Sequence, residues 1–185
     1  PANTVVNATT GKIWMDRNLG ATQVATSSTD HLAYGSLYQW GRGSDGHQII
    51  VWTSSTTSNG SEQNNETPSL SAIDAPGNGD FILAPNSPYD WHSPQNANLW
   101  QGVSGVNNPC PTGYRIPTDV EWDAERLSWG SSSQNAAGAL ASPLKLPMAG
   151  LRDYINGSLN DVGSSGFYWS STVSSSDARG LAFHS

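Results

Sequence analysis

A proline-rich stretch followed at once by a helix start constrains this chain more than any other feature of its sequence. Within Asn108-Pro-Cys-Pro-Thr-Gly-Tyr-Arg-Ile-Pro-Thr-Asp-Val-Glu-Trp122, three prolines and a glycine fix an extended backbone path. Thr118 and Glu121 then have the spacing of a capping box, in which the two residues satisfy each other's free backbone N–H groups. The pattern predicts a helix over about 118–129 with three apolar residues on one face. These residues are Val120, Ala124 and Leu127.

The composition of the chain limits the classes of protein to which it can belong. Its 185 residues suffice for one hydrophobic core, so we expect a single domain over 1–185. Only 12% of the residues are charged, while 19 Gly and 11 Pro favour a loop-rich fold and 8 Trp supply large apolar surfaces to bury. The net charge of −7, with two lysines in the whole chain, argues against binding to nucleic acid or acidic lipid. An acidic surface suits an extracellular module that binds cations, although the same charge also serves solubility.

The sequence indicates neither a membrane span nor an export signal. Its longest apolar runs, 49–52 and 81–84, are too short to cross a bilayer. The sequence starts without Met or a signal peptide, so we expect a mature or excised piece of a longer chain. Cys110 is the only cysteine, so a disulfide partner would lie outside this sequence.

Short apolar segments separated by polar turns predict several strands and one clear helix. The expected strands cover 4–6, 12–15, 49–52, 144–151, 166–173 and 179–183, and 35–40 is expected to be a strand or a short helix. The strand at 49–52 is expected to be buried. A second, weaker helix is expected within 131–142, and 53–80 is a long irregular segment of a kind that is usually functional or mobile. This order predicts an α+β fold with short antiparallel strands and long loops.

Loops rich in carboxylate and amide side chains are candidates for calcium, which takes roughly six to eight oxygen ligands. The candidate metal ligands are Asp45, Asp74, Asp80, Asp90, Asp153, Asn156 and Asp161. None of these loops has the spacing of an EF-hand. Asp and Asn also occupy turns because their side chains cap their own backbone, and both interpretations stay open for each loop.

A ligand carboxylate would need a cation or a metal, and loop aromatics would supply stiff contact area. The candidate ligand-binding residues are Arg42, Asp45, His47, Asp90, Trp91, Trp100, Arg152 and Arg179. The alternative for each arginine is a structural pair with a nearby Asp, as for Arg17 with Asp16, and we assign Arg115 to a structural role. The alternative for the loop tryptophans is to anchor an irregular region. The tryptophans in regular elements are assigned to the core: Trp14, Trp40, Trp122 and Trp169.

No catalytic motif is present in the sequence. A lone cysteine set between two prolines cannot supply the paired cysteines of formylglycine-generating enzymes. There is no Gly-x-Ser-x-Gly elbow, no His-Glu-x-x-His, no P-loop and no Gly-x-Gly-x-x-Gly. We therefore expect a protein that is not an enzyme.

Six motifs occur in an order that resembles one family along nearly the whole chain. They are Gly11-Lys-Ile-Trp-Met-Asp-Arg-Asn-Leu-Gly-Ala21, Leu37-Tyr-Gln-Trp-Gly-Arg42, Asp90-Trp91 with Leu99-Trp100, Pro109-Cys-Pro-Thr-Gly-Tyr-Arg-Ile-Pro-Thr118 with Glu121-Trp122, Leu146-Pro-Met-Ala-Gly-Leu-Arg152, and Gly166-Phe-Tyr-Trp-Ser-Ser-Thr172. The chain resembles the bacterial FISUMP domain, the major paralogous domain first described in Fibrobacter succinogenes. With Asp45-Gly-His47 it is most similar to the peptide-binding module of large calcium-dependent RTX adhesins.

The resemblance implies a fold, a function and a location. The fold would be C-type-lectin-like, and the chain would be one module of a longer, multidomain adhesin on the bacterial cell surface, with a role in cell adhesion and biofilm formation. It would bind a peptide or protein on another cell, with Ca²⁺ in or near the pocket and the ligand's free C-terminal carboxylate as one contact. The family closes with a further strand ending in Arg-Cys, which this sequence lacks, because it stops at Phe183-His-Ser185.

Three other functions compete with a calcium-dependent peptide-binding module. A carbohydrate-binding lectin would place sugar hydroxyls on Ca²⁺ and stack sugar rings on Trp91 or Trp100. A purely structural spacer would bind no ligand, and an enzyme would need turnover that depends on Cys110 or on a histidine. Glycan binding stays open as the main alternative to peptide binding.

Overall fold

The structure is a computed structural model, and it describes residues 3–54, 60–62 and 64–185. These ranges contain two α-helices, a 3-10 helix at His31–Ala33 and ten short strands. The helices are α1 (Asp119–Ser128) and α2 (Ala136–Ala141). The strands are β1 (Thr4–Asn7), β2 (Lys12–Met15), β3 (Ile50–Trp52), β4 (Gly60–Glu62), β5 (Glu66–Thr67), β6 (Phe81–Ile82), β7 (Leu151–Arg152), β8 (Leu159–Asn160), β9 (Ser165–Ser174) and β10 (Asp177–His184). No helix within these ranges is long and apolar enough to cross a bilayer.

The strands form small two-stranded sheets. The β1–β2, β3–β4, β7–β8 and β9–β10 pairs are antiparallel, and the short β5–β6 pair is parallel. The β9–β10 hairpin is the longest, and its register shifts between Ala178 and Gly180. Helices with small, mostly antiparallel sheets are compatible with the predicted α+β class.

The capping box that begins α1 is confirmed. The Thr118 hydroxyl accepts from the Glu121 N–H, and the Glu121 carboxylate accepts from the Thr118 N–H at 2.9 Å. Arg115, on the proline-rich path, donates two hydrogen bonds of 2.8 Å to the Glu121 carboxylate. The structural role assigned to Arg115 is therefore confirmed, and this ion pair joins the extended path to the start of the helix.

The face of α1 that is buried differs from the apolar face expected from the sequence. Val120 is 78% and Leu127 is 61% exposed, whereas Trp122 and the charged Glu125 are buried. Glu125 can be buried because Asn7 donates to one carboxylate oxygen at 2.6 Å and Trp129 Nε1 donates to the other at 3.0 Å. The helix therefore uses hydrogen bonds to a buried carboxylate, as well as apolar contact, to pack against the rest of the fold.

The main core lies between α1, α2 and the β9–β10 hairpin. Its buried residues are Trp122, Ala136, Ala139, Leu144, Leu146, Met148, Leu181 and Phe183. Trp14 from β2 stacks on Trp122 with ring centroids 4.9 Å apart, which joins the β1–β2 hairpin to this core. Two smaller clusters of buried residues surround Tyr34 and Trp91.

Most of the predicted strands are present. Those expected at 4–6, 12–15, 166–173 and 179–183 correspond to β1, β2, β9 and β10. The weak helix expected within 131–142 is α2. The segment at 49–52 contains β3, but Val51 is 45% exposed, so that strand is only partly buried. The segment at 53–80 contains short strands as well as loops, and residues 55–59 and 63 lie outside the described part.

Two predicted strands are wrong. The segment at 35–40 has no regular structure, and Gly35 has a φ of +72°, where a Cβ would lie 2.4 Å from the Leu19 carbonyl oxygen. Most of 144–151 runs outside any strand, because Pro143 and Pro147 remove backbone donors and Lys145 has a left-handed φ of +49°. Its apolar residues are nonetheless buried in the main core, which explains why they resembled a strand.

We expect Glu121→Gln to lower the free energy of unfolding by about 2 kcal/mol at about pH 7, because it weakens a charged, two-bond contact with Arg115. Hydrogen bonds from Arg115 are the largest cause that lowers the pKa of Glu121, and they outweigh burial, which would raise it. A carboxyl group whose pKa is lowered in the folded state contributes its full stabilisation of the fold at pH values above its unfolded-state pKa of 4.5. This contribution is lost as the pH falls below that value. The difference in free energy of unfolding between Glu121→Gln and the native chain, measured by urea unfolding, should therefore be smaller at about pH 3 than at about pH 7.

The matched control is Asp123→Asn, because Asp123 makes an exposed ion pair with Arg126 on the same helix. Its effect should stay below about 0.5 kcal/mol at both pH values. A Glu121→Gln effect that is equally large at both pH values would contradict the assigned role.

Candidate functional site

The segments around 39–48, 74–100 and 152–157 contain little regular structure, and we call the part of the molecule that they form the loop side. It contains a fully buried arginine. Arg42 is 0% exposed, and all five of its N–H donors meet acceptors. Its Nε and Nη2 donate to Asp45 Oδ2 at 3.1 and 2.5 Å, and its Nη1 donates to Gln39 Oε1 at 2.8 Å. The carbonyl oxygens of Asp80 and Asn78 accept the remaining bonds at 2.9 and 3.3 Å. The guanidinium group therefore has no donor left for a ligand carboxylate.

Asp45 holds both Arg42 and His47 in place. Its Oδ1 lies 2.6 Å from His47 Nδ1 and also accepts from the His47 backbone N–H. His47 is fully buried, and its Nε2 accepts from the Gln39 N–H at 3.0 Å, so Nδ1 is the donor in this pair. Burial lowers the pKa of His47. Burial would raise the pKa of Asp45, but the hydrogen bonds from His47 and Arg42 and the charge of Arg42 outweigh it and lower the pKa of Asp45.

Arg152 forms a second buried contact on the same side. It is 8% exposed, its Nε donates to the Gly157 carbonyl at 2.9 Å and its Nη1 donates to the His47 carbonyl at 3.4 Å. Its guanidinium carbon lies 4.0 Å from the centroid of the Phe81 ring, and Nη2 is 3.4 Å from Glu66 Oε1. Arg42 and Arg152 together connect the loops around 45, 78–80 and 157.

The candidate metal ligands near 153–161 do not form one group. Asp153 and Asn156 lie in the turn between β7 and β8, where their side-chain oxygens accept from the Ile155 and Ser158 backbone N–H groups at 2.6 and 3.0 Å. Asp161 follows β8 at the other end of this hairpin, next to Gly150, with a φ of +57°. Turn capping therefore accounts for the first two side chains, and the exposed Asp161 carboxylate is separate from them.

The remaining candidate metal ligands are distributed over different contacts. Asp74 Oδ1 accepts from Asn96 at 3.0 Å and lies 3.1 Å from His92 Nε2. Asp90 caps the His92 backbone N–H at 3.0 Å, and Asp80 contributes its carbonyl oxygen to Arg42. Within the described ranges, no three His, Cys, Asp or Glu side chains approach closely enough to hold a metal ion together.

Trp91 and Trp100 lie in irregular segments but are buried, at 3% and 1% exposed. Trp100 Nε1 donates to the carbonyl oxygens of Arg42 and Asn107 at 3.1 and 3.0 Å, and Trp91 Nε1 donates to the Trp40 carbonyl at 2.6 Å. The structure thus places both rings as anchors of the loops. Arg179 is exposed on β10.

An exposed aromatic pair occurs where two loops meet. Tyr89 is 54% and Tyr154 is 43% exposed, and their ring centroids lie 5.5 Å apart. The pair brings the loop that carries Asp90 beside the loop that carries Asp153. The sequence analysis did not single out Tyr154, because a lone tyrosine in a polar loop gives no signal of its partner.

A groove of about 450 Å³ lies on the side formed by the β-hairpins and the proline-rich path. Nine aromatic residues contribute to its wall, among them Trp14, Tyr34, Tyr114, Phe167 and Trp169. Trp169 was assigned to the core from the sequence, but it is 43% exposed and is held in place by a 2.8 Å hydrogen bond from Nε1 to the Tyr38 carbonyl. Such a fixed, exposed ring is a suitable contact for an apolar ligand.

Several polar groups in the wall of the groove are buried. Trp14 Nε1 and Tyr34 Oη are buried without a hydrogen-bond partner in the described part of the chain. Burial raises the pKa of Tyr34 to about 12 and that of the Cys110 thiol to about 11, so both groups are neutral near pH 7. Arg17, also in the wall, pairs with Asp16 at 2.8 Å, as expected from the sequence. The wall of the groove is therefore mainly apolar, and the unpartnered Trp14 and Tyr34 atoms lie beneath its surface.

Comparison with protein-family models, with curated proteins and with solved structures finds no match for this chain. The candidate sites are therefore interpreted from their own geometry. That geometry gives two surfaces: the Tyr89–Tyr154 surface on the loop side, and the groove beside the β-hairpins.

We expect Asp45→Ala to lower the free energy of unfolding by about 3 kcal/mol, because it leaves the buried Arg42 guanidinium without its counter-charge. Asp90→Ala should cost only about 1 kcal/mol, because it removes one capping bond at a partly exposed position. Urea unfolding of the two variants measures the difference directly. Equal losses would show that Asp45 does not hold the buried arginine.

Proposed function

We propose that this chain is the ligand-binding module of a bacterial surface adhesin, with a FISUMP-type, C-type-lectin-like arrangement. It binds a peptide or protein segment from another cell, with Ca²⁺ required for ligand binding. The module is extracellular and belongs to a longer, multidomain chain. It carries out no catalysis. The single observation that supports this function best is the groove, whose apolar aromatic walls include the exposed and hydrogen-bonded ring of Trp169.

A peptide suits this groove better than a sugar does. Apolar, aromatic walls favour the apolar side chains of a peptide over the hydroxyl groups of a sugar. A sugar-binding site on the loop side would need exposed stacking rings, and the two rings named for that role, Trp91 and Trp100, are buried. No observation on the loop side favours the carbohydrate alternative.

Calcium is proposed to act on the ligand site rather than to hold the loops together. Arg42 and Arg152 already connect the loops at 45, 78–80 and 157. Asp161 is the candidate with an exposed carboxylate near the groove, because it adjoins Gly150, which contributes to the groove wall. We therefore place calcium at Asp161, with further oxygens supplied by water or by the ligand itself.

The function is tested by binding of the chain to a peptide array and a glycan array, each with Ca²⁺ and with EDTA. We expect binding to peptides only, and loss of that binding in EDTA with little change in melting temperature. Asp161→Ala should weaken calcium-dependent binding, whereas Asp177→Ala, an exposed acid in the β9–β10 hairpin, should not. Binding to glycans alone, or to neither array, would reject the function.

Two matched aromatic variants decide which surface binds the peptide. Trp169→Ala should weaken binding about tenfold or more, because it removes a fixed ring from the groove. Tyr89→Ala removes a ring that is also exposed, at 54% against 43% for Trp169, from the loop side and should leave the affinity unchanged. The opposite result would move the binding site to the Tyr89–Tyr154 surface.

A further inference from the structure

His92, on the loop side, has one ring nitrogen in use and one that is not. The residue is 6% exposed, and its Nδ1 lies 2.6 Å from the Pro94 carbonyl oxygen. A carbonyl oxygen only accepts hydrogen bonds, so Nδ1 carries the proton and the lone pair of the neutral imidazole is on Nε2. That Nε2 atom is buried and has no hydrogen-bond partner in the described part of the chain.

The Asp74 carboxylate is the group beside this nitrogen. Its Oδ1 lies 3.1 Å from His92 Nε2, yet the two atoms are not aligned as a hydrogen bond. A lone pair and a carboxylate oxygen repel each other at this distance, and a proton shared between them would need the alignment that is missing. A metal ion needs no such alignment, because each of the two atoms bonds to the ion and not to the other.

The separation of the two atoms fits two ligands of one small ion. Zn²⁺ bonds to imidazole nitrogen and to carboxylate oxygen at about 2.0–2.1 Å. Two such ligands lie about 2.9 Å apart when their bonds meet at a right angle, and about 3.3 Å apart at the tetrahedral angle. The 3.1 Å between His92 Nε2 and Asp74 Oδ1 falls between these values.

Both side chains are held by outer hydrogen bonds of the kind that metal ligands make. A ligating histidine commonly donates its second ring N–H to a carbonyl or carboxylate, as His92 does to Pro94. Asp74 Oδ1 accepts from the Asn96 side chain at 3.0 Å, and the Asp74 carbonyl accepts from Asn107 at 2.7 Å. These bonds orient the imidazole and the carboxylate without using His92 Nε2.

We propose that His92 and Asp74 bind a divalent transition metal ion, with Zn²⁺ as the representative ion. Imidazole suits Zn²⁺, Cu²⁺ and Ni²⁺, whereas Ca²⁺ and Mg²⁺ take oxygen ligands, so this site differs in kind from the calcium proposed at Asp161. The Asp74 side chain is 40% exposed, so the ion is reached from solvent and water supplies its other ligands. Neither residue contributes to the groove wall, and the inference does not depend on the proposed function.

The ion would join two loop segments that are already paired at one point. The Ser71 N–H donates to the Trp91 carbonyl at 2.9 Å, and the Ser93 N–H donates to the Ser71 carbonyl at 2.8 Å. Asp74 and His92 continue from this contact, one on each segment. An ion that binds the folded chain through both of them stabilises it by mass action, because the unfolded chain does not hold the two ligands together.

The test adds Zn²⁺ to the native chain in excess Ca²⁺ at about pH 7.5, where an ordinary histidine is neutral. Calorimetry should detect Zn²⁺ binding, and Zn²⁺ at about a hundredfold above its Kd should raise the melting temperature by about 5 °C or more. Mg²⁺ should not reproduce the rise. In nitrogen NMR the His92 Nε2 signal should shift with Zn²⁺, whereas His47 should not respond, because both of its ring nitrogens are already in use.

Two variants each remove one ligand, and a third is the matched control. His92→Gln and Asp74→Asn should each weaken Zn²⁺ binding about tenfold or more. His31→Gln removes a partly exposed imidazole from the 3-10 helix and should leave the affinity unchanged. If the buried His92→Gln variant fails to fold, Asp74→Asn decides the question, because its amide keeps an oxygen that can accept from Asn96.

Three outcomes would overturn the site. The first is that Zn²⁺ does not bind to the native chain. The second is equal Zn²⁺ affinity in the native chain and in Asp74→Asn, which would place the ion elsewhere. The third is an equal response to Mg²⁺, which would indicate a site made of oxygen ligands only. Peptide binding on the array is measured separately and does not involve His92, so each of these results leaves the proposed function standing.

Discussion

Two buried guanidinium groups determine how the loop side of this protein is held together. The segments around 39–48, 78–82 and 152–157 contain little regular structure, so their polar backbone groups need partners outside helices and sheets. Arginine suits this role because its planar fork offers five donors in fixed directions. Arg42 uses all five, and Arg152 donates to three separate segments, at Gly157, His47 and Glu66. Lysine, with one charged nitrogen, could not reach so many acceptors.

A buried charge is costly, and the surrounding groups explain why it is tolerated here. Burial lowers the pKa of Arg42, and the hydrogen bonds and charge of Asp45 oppose that effect. Trp91 lies beside the Arg42 guanidinium at 5.4 Å, and Trp100 donates to the Arg42 carbonyl. The loop tryptophans therefore cover the charged centre and bond to its backbone. This arrangement joins the loops to one another, and the groove beside the hairpins is the surface that we propose binds the ligand.

Local signals in the sequence predicted local structure well. The capping box of Thr118 and Glu121, the short hairpin strands β1 and β2, and the pairing of Arg17 with Asp16 each depend on residues close together in the chain. The buried face of α1 was missed because it depends on Asn7, which lies 118 residues from Glu125. Apolar periodicity cannot show which residues a distant segment will cover, so Val120 and Leu127 were taken for a core face although they are exposed.

The candidate site was less predictable, for a physical reason. Loops rich in Asp, Asn and Gly have the same composition whether they bind calcium, cap turns or receive an arginine. Arg42, Asp45 and His47 were predicted to bind the ligand, whereas the structure joins them to one another in a buried network. The acceptors that meet Arg42 also depend on Gln39, Asn78 and Asp80. The groove combines residues that lie far apart in the sequence, such as Trp14, Tyr114 and Trp169, and local patterns do not show that these residues meet.

Hydrogen exchange in Arg42→Lys tests the role of the buried guanidinium groups most directly. The Ile82 N–H donates to Gln39 Oε1, which also accepts from Arg42, whereas the Trp122 N–H bonds within the first turn of α1. We expect exchange of the Ile82 amide to accelerate by about tenfold or more, with the Trp122 amide unchanged. Unchanged exchange at Ile82, or equal acceleration at both amides, would contradict the claim that Arg42 holds the loops together.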